Sequence, residues 1–329
     1  MPHSEHRVCA AGPSVRVGLA ISIALGAVCV AGADEPPGFY LQWGTRGTGE
    51  GQFERPRAVA VGSGAVYVAD SDNHRIQVFD VRGRFEFQWG SWGTEPGRFD
   101  DPIGIAIGTH GEVYVADRLN RRVQVFTAAG EFLLQWGGAS RFEAPLGIAV
   151  DSRGEVFVTD AGGTVSRFNA AGQLLVRWGS PGTGPGKLSR PWGIAAAPDG
   201  SLLVADSGNH RIVRYDREGR VLGAFGSAGS EVGSLLQPLG VAVDPTGNVF
   251  VVDQLNRRIQ KFSSAGGSML AWGREGFGEN EFSRPYGIAI DPMGGIYVAD
   301  TANFRIQRFG GGPVAIEPVT WGAVKHVYR

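Results

Sequence analysis

Residues 285–309 read PYGIAIDPMGGIYVADTANFRIQRF, and five further stretches of the chain repeat this pattern with substitutions. The repeat proline falls at positions 56, 102, 145, 191, 238 and 285, in steps of 46, 43, 46, 47 and 47 residues. The repeat aspartate, at positions 70, 117, 160, 206, 253 and 300, keeps nearly the same period. Self-similarity at a fixed period of this size is typical of repeat architectures. The chain is therefore predicted to be a tandem array of six units.

Each unit reads as a set of short strands. Residues 287–290, 296–299 and 305–309 are β-branched and aromatic runs separated by Gly, Pro and Asp turns, which is the pattern of three strands. A fourth run ending in Trp-Gly follows in most copies, as at residues 84–89 and 131–136. Four strands per unit, repeated six times, predict an all-β fold: a six-bladed β-propeller of four-stranded antiparallel blades.

The two ends of the array predict how the propeller closes. The sixth repeat stops after its third strand at Phe309, whereas residues 39–43 stand before the first repeat as a fourth strand without a blade. Trp43 lies 13 residues before Pro56, the spacing that also separates Trp89 from Pro102. The amino-terminal strand is thus predicted to complete the last blade and to leave no open sheet edge. Residues 320–322, Thr-Trp-Gly, resemble the same strand and are the alternative.

The first 33 residues differ in kind from the array. Arg7 and Arg16 precede an apolar run from 17 to 33 that ends in Ala-Gly-Ala, the pattern of a secretory signal peptide. We therefore expect a signal peptide at 1–33, the propeller at 34–309 and a tail at 310–329, with export to the periplasm or the extracellular space and no stable membrane span after cleavage. An uncleaved anchor, or lipidation at Cys29, are the alternatives.

Composition bears on the classes of partner. Without the leader the chain keeps 29 basic and 31 acidic residues, a net charge of about −2. No bulk charge then draws it to nucleic acid, and both cysteines, Cys9 and Cys29, lie in the leader. We expect a monomer with no nucleic-acid partner.

A recurring Asp…Asn-x-Arg signature follows the second strand in five repeats, and only the third repeat lacks it. The five copies are Asp70…Asn73-His74-Arg75, Asp117…Asn120-Arg121-Arg122, Asp206…Asn209-His210-Arg211, Asp253…Asn256-Arg257-Arg258 and Asp300…Asn303-Phe304-Arg305. In these residues the chain resembles the NHL repeat family. The resemblance implies a six-bladed propeller that binds protein, carbohydrate or RNA, with enzymes a minority.

The recurrence itself indicates structure rather than catalysis. An Asp at the end of the second strand, an Asn that adopts the left-handed conformation in the turn and an Arg on the third strand can satisfy one another in a tight connection. The Trp-Gly pairs are predicted to fill the space between blades.

Function is instead expected where the repeats differ on one face. The residue after each repeat proline should lie at the mouth of the central channel, and three of those six residues are of the types that dominate interfaces. The residues before the prolines and in the Asn-x-Arg turns add to the same face. The predicted ligand-binding residues are Arg57, Trp192, Tyr286, Arg55, Arg190, Arg284, His74, His210 and Phe304.

One unit is shortened on this same face. Nine residues separate Trp136 from Pro145, where the other copies have 13, and the turn after Asp160 is also shorter. We predict a notch between the second and third blades, where a peptide or glycan strand would enter and run towards the channel mouth.

No catalytic motif stands out. Four histidines remain after the leader, two of them in the repeated turn, and the chain has no G-x-S-x-G elbow. We therefore expect no catalytic residues, no metal and no cofactor. The predicted function is a non-catalytic exported recognition scaffold for a protein, peptide or envelope glycan. A hydrolase or lyase at the channel mouth with unidentified active groups, and a purely structural surface protein, are the alternatives.

Overall fold

The structure, a computed structural model, describes residues 35–311. The predicted signal peptide and the tail from residue 312, with its alternative closing strand, lie outside the described residues. In chain order the strands are β1 (Phe39–Trp43), β2 (Thr45–Arg46), β3 (Gln52–Phe53), β4 (Pro56–Gly62), β5 (Ala65–Asp70), β6 (Arg75–Asp80), β7 (Phe85–Trp89), β8 (Pro102–Ile107), β9 (Val113–Asp117), β10 (Arg122–Phe126), β11 (Phe132–Gly137), β12 (Pro145–Val150), β13 (Val156–Asp160), β14 (Thr164–Phe168), β15 (Leu174–Trp178), β16 (Pro191–Ala196), β17 (Leu202–Asp206), β18 (Arg211–Tyr215), β19 (Val221–Phe225), β20 (Pro238–Val243), β21 (Val249–Asp253), β22 (Arg258–Phe262), β23 (Ser268–Trp272), β24 (Arg274–Glu275), β25 (Glu281–Phe282), β26 (Pro285–Ile290), β27 (Ile296–Asp300) and β28 (Arg305–Phe309). Three 3₁₀ turns span Ser71–Asn73, Ser207–Asn209 and Thr301–Asn303.

Six four-stranded antiparallel sheets form the blades of a propeller. Five are consecutive in the chain, namely β4 to β7, β8 to β11, β12 to β15, β16 to β19 and β20 to β23. The sixth has the order β1-β28-β27-β26, so the amino-terminal strand closes it. Phe39 pairs with Phe309 and Trp43 with Ile306 in this sheet. The predicted fold and the predicted closure are both confirmed. Among the described residues, no helix has the length and apolar character needed to cross a membrane.

The innermost strands approach one another closely around the central channel. A Cβ atom on Gly147 would lie 2.3 Å from the carbonyl oxygen of Trp192 in the next blade, and one on Gly240 would lie 2.4 Å from that of Tyr286. Any side chain at these positions would force the two backbones apart. The glycine after the mouth residue is therefore what allows the inner strands to crowd around the channel.

The hydrophobic core consists of six clusters, each of which lies between two neighbouring blades. The tryptophan that ends an outer strand packs on an aromatic residue of the following blade, as Trp89 does on Phe126 with ring centroids 5.5 Å apart. Trp43 of β1 contacts Phe79 of the first blade in the same way, at 5.8 Å. The closing strand thus completes the sixth cluster as well as the sixth sheet.

The signature residues hold the connection between the second and third strands. The buried carboxylate of Asp70 accepts hydrogen bonds from the backbone N–H of Glu54 at 2.7 Å, from Asn73 at 2.8 Å and from Arg75 Nε at 2.8 Å. Arg75 also donates to the carbonyl oxygens of the preceding interblade loop. The predicted structural role of these residues agrees with this geometry.

One detail of the turn differs from the prediction. Asn73 lies in the 3₁₀ turn, and the residue in the left-handed region is His74, with φ of 53°. The amide of Asn73 has to face Asp70 and the loop carbonyl of Gly47, so the chain reverses one residue later.

Candidate functional site on the loop face

We call the face that carries the interblade loops and the turns between second and third strands the loop face. At its centre, Trp192 and Tyr286 meet edge to face with ring centroids 5.7 Å apart. The guanidinium of Arg57 lies 6.0 Å from the centroid of the Tyr286 ring. These three residues come from the fourth, sixth and first blades and lie at the channel mouth, where a cavity of about 80 Å³ remains. The structure thus brings the predicted mouth residues together.

The charge of Arg57 is neutralised within the protein. Its side chain is buried, and Nη1 donates to Asp101 Oδ1 at 2.7 Å. Arg118 donates to the other oxygen of Asp101, also at 2.7 Å. Arg57 therefore contributes to the channel mouth mainly as a packed and paired side chain, and the exposed positive charge of the loop face is located elsewhere.

A second cavity, of about 220 Å³, lies between the sixth and first blades. We call it the junction cavity, and its lining residues are Glu54, Arg55, Arg284, Tyr286, Thr301, Ala302 and Phe304. Arg55 and Arg284 are exposed. Arg55 Nη1 lies 3.4 Å from Asp72, while Arg284 forms no ion pair within the part of the chain that the structure describes. Four of the nine predicted binding residues thus line one cavity.

The turn residue at the junction cavity differs from that at two other junctions. Between the first and second blades, His74 Nδ1 accepts the backbone N–H of Asp101 at 3.3 Å, and between the fourth and fifth blades His210 Nδ1 accepts that of Gln237 at 3.0 Å. Phe304 occupies the same turn position in the sixth blade, which meets the first blade, and its phenyl ring has no nitrogen that could accept a hydrogen bond. The equivalent N–H, that of Arg55, has no hydrogen-bond acceptor among residues 35–311. In place of the imidazole contact, this junction has the phenyl ring of Phe304 and the N–H of Arg55, which is free to donate to a ligand.

The remaining predicted residues lie apart from this cavity. His74 and His210 are engaged in the two junctions just described. Arg190 is exposed on the fourth blade and lines none of the cavities described in this section. Arg55, Arg190 and Arg284 share one backbone feature, because each precedes a repeat proline with a positive φ, of 58°, 48° and 51°. Such a conformation is uncommon for residues other than glycine.

Sequence reasoning missed two exposed aromatic residues of the loop face. Trp92 and Phe277, in the loops before the second and sixth blades, are 67% and 81% exposed. Their signal was available, since Phe277 stands where the other long loops have Thr or Ser. Glu54, Thr301 and Ala302 of the junction cavity were also missed, and only the meeting of the first and last blades reveals them.

A third cavity occupies the position where the shortened loop predicted a notch. It has a volume of about 520 Å³ and lies at the outer edge of the second blade. Its lining residues are Asn120, Arg122, Gln135, Trp136, Gly137, Gly138 and Arg141. No channel-mouth residue lines it, so the predicted run from the notch to the mouth is not a continuous cavity.

The opposite end of the channel is wider, at about 310 Å³, and is bordered by Asp-Pro turns. Asp244 and Asp291 each accept hydrogen bonds from backbone N–H groups of their own turns, those of Thr246 and Asn248 and those of Met293 and Gly295. Across residues 35–311, no group of three or more His, Cys, Asp or Glu side chains is arranged to hold a metal ion.

This architecture defines the chain as a six-bladed β-propeller. The family model named NHL repeat matches it at residues 53–79, 99–126, 188–215 and 282–309. The chain therefore carries NHL repeats at these four positions, as its Asp…Asn-x-Arg signature predicts.

Curated relatives share short segments with the chain. It is 54% identical over 50 residues to the B-box type zinc finger protein ncl-1 of Caenorhabditis elegans, a match covering 15% of this chain and 6% of that protein. It is 48% identical over 50 residues to Protein brain tumor of Drosophila melanogaster, covering 15% and 5%. The matches thus span about a twentieth of the length of these relatives.

Solved structures of similar fold include enzymes. Virginiamycin B lyase from Staphylococcus aureus superposes with a TM-score of 0.58 and 15% identity, over 78% of this chain and 95% of that one. A gluconolactonase from Xanthomonas campestris has a TM-score of 0.61 and 16% identity, over 84% and 98%. At these identities the likeness shows the fold alone.

The expectation that the chain is not an enzyme is corrected accordingly: solved structures of this fold include a lyase and a gluconolactonase, so the fold does not exclude catalysis. That expectation rested on the absence of linear catalytic motifs such as G-x-S-x-G from the sequence. The physical reason is that a propeller channel gathers side chains from six blades spaced 43 to 47 residues apart. Reactive groups that meet in this way leave no local motif in the sequence.

Proposed function

We propose that the protein is an exported recognition propeller whose loop face binds an acidic segment of a partner protein. One large apolar side chain of that segment would occupy the junction cavity. The observation that carries the proposal is the convergence of Arg55, Arg284, Tyr286 and Phe304 on this single cavity.

The size of the junction cavity suits an anchoring side chain. Pockets for small molecules span roughly 300–1,000 Å³, whereas this cavity measures about 220 Å³. The aromatic rings of Tyr286 and Phe304 supply apolar contact area for that anchor. Aromatic anchors with arginine beside them are the usual centres of binding energy in protein interfaces.

The charge at the rim favours an acidic ligand. Arg55 and Arg284 place exposed guanidinium groups beside the cavity, and guanidinium binds carboxylate through charge-assisted hydrogen bonds. Glu54 also lines the cavity, but it already accepts from Arg46 at 3.1 Å. The free N–H of Arg55 offers a further donor to a ligand carbonyl or carboxylate.

Two further observations support the class of partner and the compartment. NHL repeat proteins generally mediate protein interactions, which favours a protein over a glycan. The apolar leader at residues 1–33 supports export, to the periplasm or the cell exterior.

Peptide display on the purified protein tests the proposal. We expect selection of peptides with a large apolar residue and Asp or Glu within two positions of it. A selected peptide should lose at least about tenfold in affinity to the double variant Arg55→Glu, Arg284→Glu, measured by calorimetry.

Two matched variants control this experiment. Arg190→Glu makes the same substitution once, at an equivalent backbone position away from the cavity, and should leave the affinity unchanged. Phe304→His installs the imidazole that His74 and His210 place at two other junctions, so the fold should persist while the anchor site is lost. Selection of peptides without acidic residues, or equal affinity for the two arginine variants, would refute the proposed site.

A further inference from the structure

Five of the six interblade loops close on themselves by parallel pairing. In each of these loops, a short segment just after the outer strand, which we call the first leg, pairs with a short segment just before the repeat proline, which we call the second leg. The pairs are β2 with β3, Trp92 with Phe99, Pro181 with Leu188, Ala228 with Leu235, and β24 with β25.

The loop between the second and third blades keeps only the start of the first leg: the N–H of Phe142 donates to the carbonyl oxygen of Gly138 at 3.0 Å, as that of Phe99 does to Ser91 at 2.9 Å. Phe142 stands three residues before Pro145, as Phe99 does before Pro102. The carbonyl oxygen of Phe99 accepts the N–H of Gly93 in its first leg at 3.1 Å, whereas that of Phe142 accepts no backbone hydrogen bond from the described chain. The four deleted residues therefore include the part of the first leg that would donate to Phe142, as Gly93 does to Phe99.

The side chains that hold a first leg are missing as well. In the first blade, Asn73 and Arg75 donate to the carbonyl oxygens of Gly47 and Thr48 in the preceding loop. The third blade has no Asn or Arg in its shortened turn, where Thr164 begins the third strand. The third blade thus lacks both the pairing part of the first leg and the Asn and Arg side chains that would hold it. The 520 Å³ notch borders the shortened loop.

Two arginines lie at or beside the notch: Arg141 lines it, and Arg121 lies in the chain between two of its lining residues, Asn120 and Arg122. Arg121 and Arg141 are exposed, and neither forms an ion pair with any described residue. Arg121 is held in the left-handed region, with φ of 55°, and its carbonyl oxygen accepts the N–H of Gly138 in the notch wall at 2.8 Å. Arg141 Nη1 donates only to the carbonyl oxygen of Gly172, at 3.2 Å.

We propose that the notch is a second binding site, which takes an extended acidic peptide segment in the place of the missing part of the first leg. Its backbone would run parallel to the second leg and donate an N–H to the carbonyl oxygen of Phe142, a form of strand addition. Acidic side chains on either side of the pairing residue would be attracted to Arg121 and Arg141. The site is independent of the junction cavity and of the function proposed for it.

The intact loops also indicate which residue the peptide needs at the pairing position. Gly93 has φ of 153°, and a Cβ atom there would lie 2.6 Å from Cδ of Arg98 in the second leg. Arg141 precedes Phe142 as Arg98 precedes Phe99. We therefore expect glycine in the ligand opposite Arg141.

The proposal is tested with a synthetic peptide that has the sequence of a first leg from another loop. A fluorescein-labelled, end-blocked peptide with the sequence of residues 90–95, Gly-Ser-Trp-Gly-Thr-Glu, is titrated with the purified protein and followed by anisotropy. We expect it to bind at least about tenfold more tightly than its reversed sequence, and replacement of its second glycine by valine should abolish the difference.

Two variants locate the binding. In the first, the sequence of residues 90–101 replaces residues 137–144, and that of residues 118–122 replaces residues 161–164, which restores leg and anchors; binding should be lost. The second, Arg121→Glu with Arg141→Glu, leaves the loop length unchanged and should also lose binding, even where the grafted variant fails to fold. Equal binding of the two peptide directions, no saturable binding, or full affinity in the second variant would overturn the proposal.

Discussion

Arg57 donates a hydrogen bond to Asp101 at 2.7 Å across the junction between the first and second blades, and both side chains are buried. The positions equivalent to Arg57 in the second, third and fifth blades hold Ile103, Leu146 and Leu239. The pair thus replaces apolar packing at the channel mouth with a buried ion pair. Its two members are 44 residues apart in the chain, so only the folded propeller joins them.

Breaking this pair is expected to destabilise the fold. The variant Asp101→Asn should lower the free energy of unfolding by about 3 kcal/mol, because it removes the nearest counter-charge of the buried Arg57 cation and leaves only Asp72, 3.8 Å from Nη2, among the described residues. Asparagine is chosen because it tolerates the φ of 58° at this position. Urea unfolding measures the loss, and the double variant Arg57→Met, Asp101→Asn should recover much of it. A loss below about 1 kcal/mol in the single variant would contradict the assignment.

The signature aspartates are expected to differ in their contribution to stability. Asp300 accepts hydrogen bonds from Ser283 N–H, Asn303 and Arg305, whereas Asp160 accepts only two, from backbone N–H groups. Asp300→Ala should therefore cost roughly 3 kcal/mol or more, since it leaves a buried guanidinium unpaired. Asp160→Ala should cost about 1 kcal/mol. Equal losses in thermal or urea unfolding would show that the side-chain donors add nothing.

The closing strand is open to a direct test through its tryptophan. Trp43→Ala should lower the free energy of unfolding by about 3–5 kcal/mol, the usual cost of truncating a packed aromatic residue. Trp89→Ala is the matched control, because Trp89 makes the equivalent contact between the first and second blades. If Trp43→Ala unfolds like the unmodified protein while Trp89→Ala does not, β1 does not close the propeller in solution.

Tyr215 carries a buried hydroxyl without a hydrogen-bond partner in the described part of the chain. Burial raises its pKa from 10.0 to about 12. Below pH 10 the phenol is neutral in both states, and Tyr215→Phe should be neutral or stabilising by about 1 kcal/mol, since it removes an unsatisfied polar group.

The pH dependence of this variant has a definite sign. Because the folded-state pKa lies above the unfolded value, the stability of the unmodified protein should fall between pH 10 and about 12 relative to that of Tyr215→Phe. Parallel stability curves for the two proteins over this range, obtained from urea unfolding, would contradict the burial of the hydroxyl.

Much of the fold was predictable because each blade repeats one local pattern. Runs of β-branched residues, turn residues and the spacing of Trp43 to Pro56 predicted strands, blades and closure. The left-handed residue of the turn was placed one position too early, at Asn73 instead of His74. That error arose because the hydrogen bonds from Asn73 to Asp70 and to the preceding loop cannot be read from the turn sequence alone.

The candidate site was less predictable, since its parts lie far apart in the chain. Arg55 and Phe304 are separated by 249 residues and line one cavity only because the last blade meets the first. The sequence placed Arg57 among the binding residues but did not reveal that Asp101 neutralises it. The expectation of a non-enzyme rested on missing linear motifs, and these do not exclude catalysis in this fold, because channel residues come from different blades.

By itself, the amino-acid sequence determined the number of blades, the strands within each blade, the closing strand and the structural role of the repeated Asp, Asn and Arg residues. These features depend on local periodicity, which a chain expresses wherever it repeats. The tertiary structure alone decided which loop residues share a cavity, which charges are neutralised and where an interblade loop leaves a notch. Those properties depend on distances between different blades, and such distances exist only once the ring has closed.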